Sequence, residues 1–127
     1  MKLPDADALI EFHAESIESF GGAPGLRDRG ALEASLARAD HILAYAGDDP
    51  DAVDVACAVC ASLCRNHAFV DGNKRIALIA LGVVLELNGF YLDAREHDAA
   101  DIMMRLASGT LAEDALKSWV RANIAPQ

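Results

Sequence analysis

Two stretches of this chain, DAVDVACAVCASLCRN (residues 51–66) and NKRIALIALGVVLELN (73–88), are apolar nearly all the way round a helical wheel. A helix without a polar face has to be covered on every side. The first stretch opens with an acidic turn and the second stops at Asn88-Gly89, a good C-cap pair. Both helices are therefore expected at the centre of a bundle, joined by the short link between them.

The rest of the chain supplies the cover. Asp5 or Asp7 can cap a first helix running to about Ser19, with Leu9, Ile10, Phe12, Ile17 and Phe20 as its apolar stripe. His13 falls on or beside that stripe and is expected to pack against core rather than to act catalytically. Gly21-Gly22-Ala23-Pro24-Gly25 breaks the helix and reads as a flexible stretch. Asp28 can cap a second helix carrying Leu32, Leu36, Ala39 and Leu43, ended by Gly47-Asp48-Asp49-Pro50, with His41 at the surface. Phe90-Tyr91-Leu92 reads as short and extended. A fifth helix, about 96–107, turns Ile102, Met103 and Leu106 inward. Thr110-x-x-Glu113 has the form of a capping box for a last helix with Leu111, Leu116, Trp119, Val120 and Ile124 inward and Pro126 past its end. Both methionines of the fifth helix and Trp119 are expected in the core.

At 127 residues, 53% of them hydrophobic and only 6% aromatic, the chain fits a single all-α domain of about six helices built on Ala, Leu, Val and Ile. Twenty acidic residues against eleven Lys and Arg leave a net charge of −9, which argues against binding DNA or RNA through the phosphate backbone. The longest apolar run, 76–85, falls short of the ~20 residues a membrane span needs. With no basic leader at the N-terminus, the expected location is the cytoplasm. Cys57, Cys60, Cys64 and His67 suggest a metal site only at first sight. On one helix at ~1.5 Å per residue, the first and last lie ~15 Å apart along the axis, too far for one ion. Three small thiols on a buried face, in a reducing compartment, is the better reading.

Between the central helices lies HAFVDGNKR (67–75). Gly72 permits close backbone approach, and unpaired amides of the next helix begin there, a setting that favours anions. Lys74 and Arg75 in that first turn are unfavourable for an isolated helix and make sense beside a polyphosphate. Asp71 among phosphates suits Mg²⁺, which takes one or two protein oxygens. His67 is of the residue type that can accept a proton from an attacking hydroxyl. Phe69 is expected to anchor the loop in the core. The plainer alternative makes Asp71 an ion-pair partner of Lys74 or Arg75, and His67 a packed core group.

The stretch resembles the Fic/Doc signature HxFx(D/E)GN(G/K)R, every fixed position of which is met by His67, Phe69, Asp71, Gly72, Asn73, Lys74 and Arg75. FGGAPGLRDRGALEASLAR (20–38) and LELNGFYL (85–92) are also similar to the flanks of the motif in the Doc, or death-on-curing, branch. The resemblance implies ATP and Mg²⁺ as cofactors, His67 as base, Asp71 on the metal, and Gly72, Asn73, Lys74 and Arg75 on the phosphates. It implies that the 21–25 loop is a flap positioning the target, with Gly22, Arg27 and Asp28 as candidate contacts. AMP-transferring members carry Gly and a second Arg where this chain has Lys74 and Leu78, so the Doc branch is favoured. That branch implies a toxin kinase moving the γ-phosphate to a hydroxyl of a translation factor such as elongation factor Tu. It also implies a Phd-like antitoxin that binds by a C-terminal segment; the chain has no (S/T)xxxE(G/N) inhibitory motif, so restraint is expected to come from outside it. Ala68, where the family often has Pro, carries no proton or charge and should leave the chemistry intact. An AMP or UMP transferase and a catalytically idle binding protein are the alternatives.

Overall fold

The computed structural model describes all residues except Ala46 and Asp48. Six helices and one two-stranded ribbon make up the described residues: α1 (Ala6–Phe20), α2 (Arg29–Tyr45), α3 (Ala52–Asn66), α4 (Asn73–Leu87), β1 (Phe90–Leu92), α5 (Glu96–Ala107), α6 (Glu113–Ala122) and β2 (Ile124–Pro126). No described helix is long and apolar enough to cross a membrane.

The starts of the first three helices follow from their aspartates. Asp5 accepts from the Ala8 amide at 2.8 Å, and Asp28 from the Ala31 amide at 3.1 Å. Asp51 and Asp54 form a reciprocal capping box, each carboxylate taking the other's backbone N–H at 3.0 Å. That box is also clasped from α6: Arg121 reaches Asp51 at 2.7 Å and Asp54 at 3.2 Å, and Lys117 lies 3.6 Å from Asp54. Arg121 holds the Asp51 carboxyl down at about 2. Of the segment expected to end α2, Asp48 lies outside the described residues.

α3 is the central rod, with eleven of its fifteen residues buried, Cys57, Cys60 and Cys64 among them. Its Ala and Cys side chains are short enough for α4 to close against one side and α2 against the other. α4 differs from expectation. Only Ile76, Ala77, Ala80, Leu81, Val84 and Leu85 are buried, while Leu78, Ile79, Gly82 and Val83 are half-covered and Leu87 is exposed. Its second apolar side borders a groove shared with Phe20, Met103 and Met104, so full burial of α4 does not hold within this chain. Met104, expected in the core, is 60% exposed, whereas Met103 is buried against Cys60 and Cys64, its Sδ 3.5 and 3.9 Å from their Sγ atoms.

The C-terminal third departs from the sequence reading twice. Thr110 does not cap α6; its hydroxyl donates to the Arg105 carbonyl, and Ala112 occupies the N-cap without a side-chain bond. Glu113 is drawn instead to Arg38 of α2 at 2.6 Å, an ion pair that ties α6 across the bundle. α6 then ends at Ala122, and Ile124–Pro126 does not continue it. These residues pair antiparallel with β1, Tyr91 opposite Ala125, so that Ile124 packs half-buried from a strand.

Candidate active site

α3 does not end in glycine. Its C-cap is His67, at φ 49 and ψ 52, the one non-glycine residue with positive φ among the described residues. This left-handed turn stops the helix and leaves the imidazole exposed, while Ala68 and Phe69 next to it are buried. The Arg27 guanidinium donates from Nε to the His67 carbonyl at 2.9 Å. The amides of Arg27 and Asp28 both reach the Ala68 carbonyl, and Val70 N–H reaches the Gly25 carbonyl. The glycine-rich loop is thus laced to the motif, with Leu26 and Phe69 forming a short antiparallel bridge.

Phe69 is 1% exposed, as expected of an anchor. Asn73 secures it from the other side. The Asn73 side chain accepts from the Phe69 amide at 3.0 Å and donates to the Phe69 carbonyl at 2.9 Å. Its side-chain amide is therefore occupied within the loop. What Asn73 offers outward is its backbone N–H, which with those of Lys74 and Arg75 has no hydrogen-bond partner among the described residues. The first α4 amide to be bonded is that of Ile76, to the Gly72 carbonyl. Gly72 itself sits at φ 73 and ψ 24, with His13 and Ile17 close beneath.

The Asp71 carboxylate accepts two backbone amides, Ala23 at 3.0 Å on Oδ2 and Gly72 at 2.8 Å on Oδ1. These two donors, Ala23 first, hold its carboxyl below the usual carboxylate range. Neither Lys74 nor Arg75 pairs with it among the described residues, so the simple ion-pair alternative does not describe this loop. Arg75 turns away: Nη1 donates to the Gly21 carbonyl at 2.9 Å, and its guanidinium carbon lies 5.8 Å from the Phe20 ring centre. Lys74 is exposed and has no partner among the described residues.

His67, Asp71, Gly72, Asn73, Lys74 and Arg75 line one cavity of about 480 Å³, together with Cys64, Val70 and Ala107. An imidazole, a carboxylate, an ammonium and a helix N-terminus thus share one space. Of the three flap candidates, Gly22 passes so close to Asp71 that a Cβ there would lie 2.9 Å from its Oδ2. Arg27 and Asp28 use their polar groups on the loop and on the α2 cap.

Residues 3–85 match the Fic/DOC family. The chain belongs to the Fic/Doc family. It is 41% identical over 93 residues to Toxin Doc of Mycolicibacterium smegmatis (strain ATCC 700084 / mc(2)155), covering 71% of each chain. It is 31% identical over 116 residues to Protein kinase doc of Escherichia phage P1, 91% of this chain and 90% of that one. The likeness to Doc proteins therefore runs beyond the matched Fic/Doc segment, through α5 and into α6.

The Fic/Doc resemblance brings an Mg²⁺ expectation with it, and Asp71 fits that ion in one respect. It is a single ionised carboxylate, each oxygen having accepted one amide and keeping lone-pair capacity. No cluster of three His, Cys, Asp or Glu is present among the described residues, and Asp71 is the one carboxylate lining this cavity. Sequence reasoning missed His13, whose Nε2 lies 2.7 Å from the Asp71 carbonyl oxygen. Its place on the α1 stripe gave the burial but no sign of the loop above it. Cys64 in the cavity wall was likewise read only as core.

Proposed function

We propose that this Fic/Doc protein is a Doc-like toxin, a protein kinase that moves the γ-phosphate of ATP to a Ser or Thr hydroxyl of a translation factor. The observation that carries the reading is the exposed left-handed His67 at a cavity shared with Lys74 and the unpaired amides opening α4.

In this mechanism His67 takes the proton of the target hydroxyl as its oxygen bonds to the γ-phosphorus. The bond from that phosphorus to the β,γ-bridging oxygen breaks, and ADP leaves with its electron pair. The amides of Asn73, Lys74 and Arg75 and the Lys74 ammonium stabilise the charge on the phosphoryl oxygens. Asp71 would hold Mg²⁺, which when bound neutralises phosphate charge. Asp71 also keeps the flap amide of Ala23 in place, so the carboxylate and the target-facing loop move together. The Lys74 side chain stands where nucleotidyl transferases of the family carry Gly, which supports a pose exposing the γ-phosphate rather than the α-phosphate.

A Phd-like antitoxin binding through a C-terminal segment, and elongation factor Tu as the target, are parts of the same proposal. The names of the two relatives support the toxin and kinase elements. Purified protein with Mg²⁺, a bacterial translation extract and either γ-labelled or α-labelled ATP tests the reaction. Protein label from the γ-position alone, abolished by His67→Ala, is the expected result. Label from the α-position identifies a nucleotidyl transferase instead, and no label from either leaves a binding protein.

A further inference from the structure

His13 lies under the motif loop, 2% exposed, with no part in the chemistry above. Its ring stacks on Phe69, centroids 3.9 Å apart and planes 17° from parallel. Its Nε2 is 2.7 Å from the Asp71 carbonyl oxygen. A carbonyl oxygen can only accept, so Nε2 carries the hydrogen. The same nitrogen lies 3.5 Å from where a Cβ on Gly72 would stand.

One rigid plane links this bond to the site. The Asp71 carbonyl and the Gly72 N–H belong to a single trans peptide and point in opposite directions. With the carbonyl held down toward α1, the N–H is aimed at Asp71 Oδ1, which it meets at 2.8 Å. The bond also keeps the Asp71 carbonyl out of the α4 ladder. Were that carbonyl to accept the Arg75 amide four residues on, α4 would gain a bond and the cavity would lose a donor. In the structure the Arg75 amide makes no such bond.

We propose that His13 is a positioning residue: its Nε2–H bond sets the 71–72 peptide, and through it the Asp71 carboxylate and the open first turn of α4. Its effect on phosphoryl transfer rests on the function proposed above, whereas its effect on the loop does not.

Two variants separate its contacts. His13→Phe keeps a ring over Phe69 without a donor, and His13→Gln keeps a donor of similar reach without the ring. Hydrogen exchange at the Ala23 and Gly72 amides, which both donate to the Asp71 carboxylate, and transfer kinetics are measured for both, with thermal unfolding as the folding control. Outer partners of this kind typically contribute about 10- to 100-fold. The expected result for His13→Phe is a loss of that order in kcat with little change in KM for ATP. Exchange at the Ala23 and Gly72 amides accelerates; His13→Gln restores all three.

Unchanged exchange at the Ala23 and Gly72 amides in a folded His13→Phe protein overturns the proposal. So does ¹⁵N NMR of the wild-type protein showing the hydrogen on Nδ1 with Nε2 bare, a measurement that needs no variant. If wild-type protein transfers nothing while the loop readouts behave as expected, the functional reading fails and the positioning role stands.

Discussion

Arg27 Nε meets the carbonyl oxygen of His67 at 2.9 Å, a contact bridging forty positions of sequence. It stabilises the left-handed turn that presents the imidazole, for rotating that residue back to a right-handed geometry would withdraw the carbonyl from the guanidinium. Arg27→Ala is expected to cost about 0.5–1.5 kcal/mol of stability, the worth of one such hydrogen bond. Transfer activity should fall by about tenfold or more, as for other groups that orient a reacting side chain. Urea unfolding and the rate of target labelling measure the two effects, and the second should exceed what the first explains.

Gly22 and Gly82 should respond oppositely to alanine. At Gly22, φ is 115° and a Cβ would stand 2.9 Å from Asp71 Oδ2 and 3.0 Å from Ile17 Cδ1. Gly22→Ala is expected to destabilise by about 1–3 kcal/mol and to dislodge the flap from Asp71. Gly82 is helical with nothing within 4 Å of its Cβ position, so Gly82→Ala should stabilise by about 0.5–1 kcal/mol. Thermal unfolding of the two single variants checks both signs.

The clasp on α3 predicts an acid-dependent step in stability. Asp51 is lowered from 3.8 to about 2, chiefly by Arg121, so its contribution is complete above pH ~4 and disappears as pH falls through about 2. The site is half-exposed and screened by solvent, which limits the ion pair to about 1 kcal/mol, with a cap of similar size added. Asp51→Ala should therefore unfold at lower urea than wild type at pH 6, and the gap should narrow steadily between pH 4 and 2.5. A gap independent of pH would rule out the ionised clasp.

Thiol reactivity should be ordered. Burial pushes the Cys57 thiol up to about 12, and the neighbouring Cys64, then burial, raises Cys60, so neither should react in the folded protein. Cys64 lines the cavity and is lowered by the neighbouring Cys60. Mass-resolved alkylation under native conditions should mark Cys64 first, ATP should slow it, and denaturation should expose all three.

Most helix boundaries were legible because local signals set them: Asp5, Asp28 and Asp51 as caps, and Asn88-Gly89 as a stop. The sequence misleads where a distant partner outbids a local one. Thr110 and Glu113 have capping-box spacing, yet Arg38, on α2, claims the glutamate. Ile124 keeps helical period with Val120, yet β1 offers it a ladder. In the site, residue types reveal which groups gather but not which atoms stay free. Asn73 was expected on phosphate, and its amide group is consumed by Phe69. His13 carries no pattern linking it to a loop fifty-eight positions on.

The backbone at position 67 is one in which glycine would rest without strain and nearly every other residue is penalised. A chain under pressure only to stay folded would drift toward glycine or asparagine there, and His67→Gly should indeed unfold at a higher temperature than wild type. Under the function proposed above, histidine at that point trades durability for a presented imidazole, so stabilising this protein and preserving its activity would pull that one codon in opposite directions.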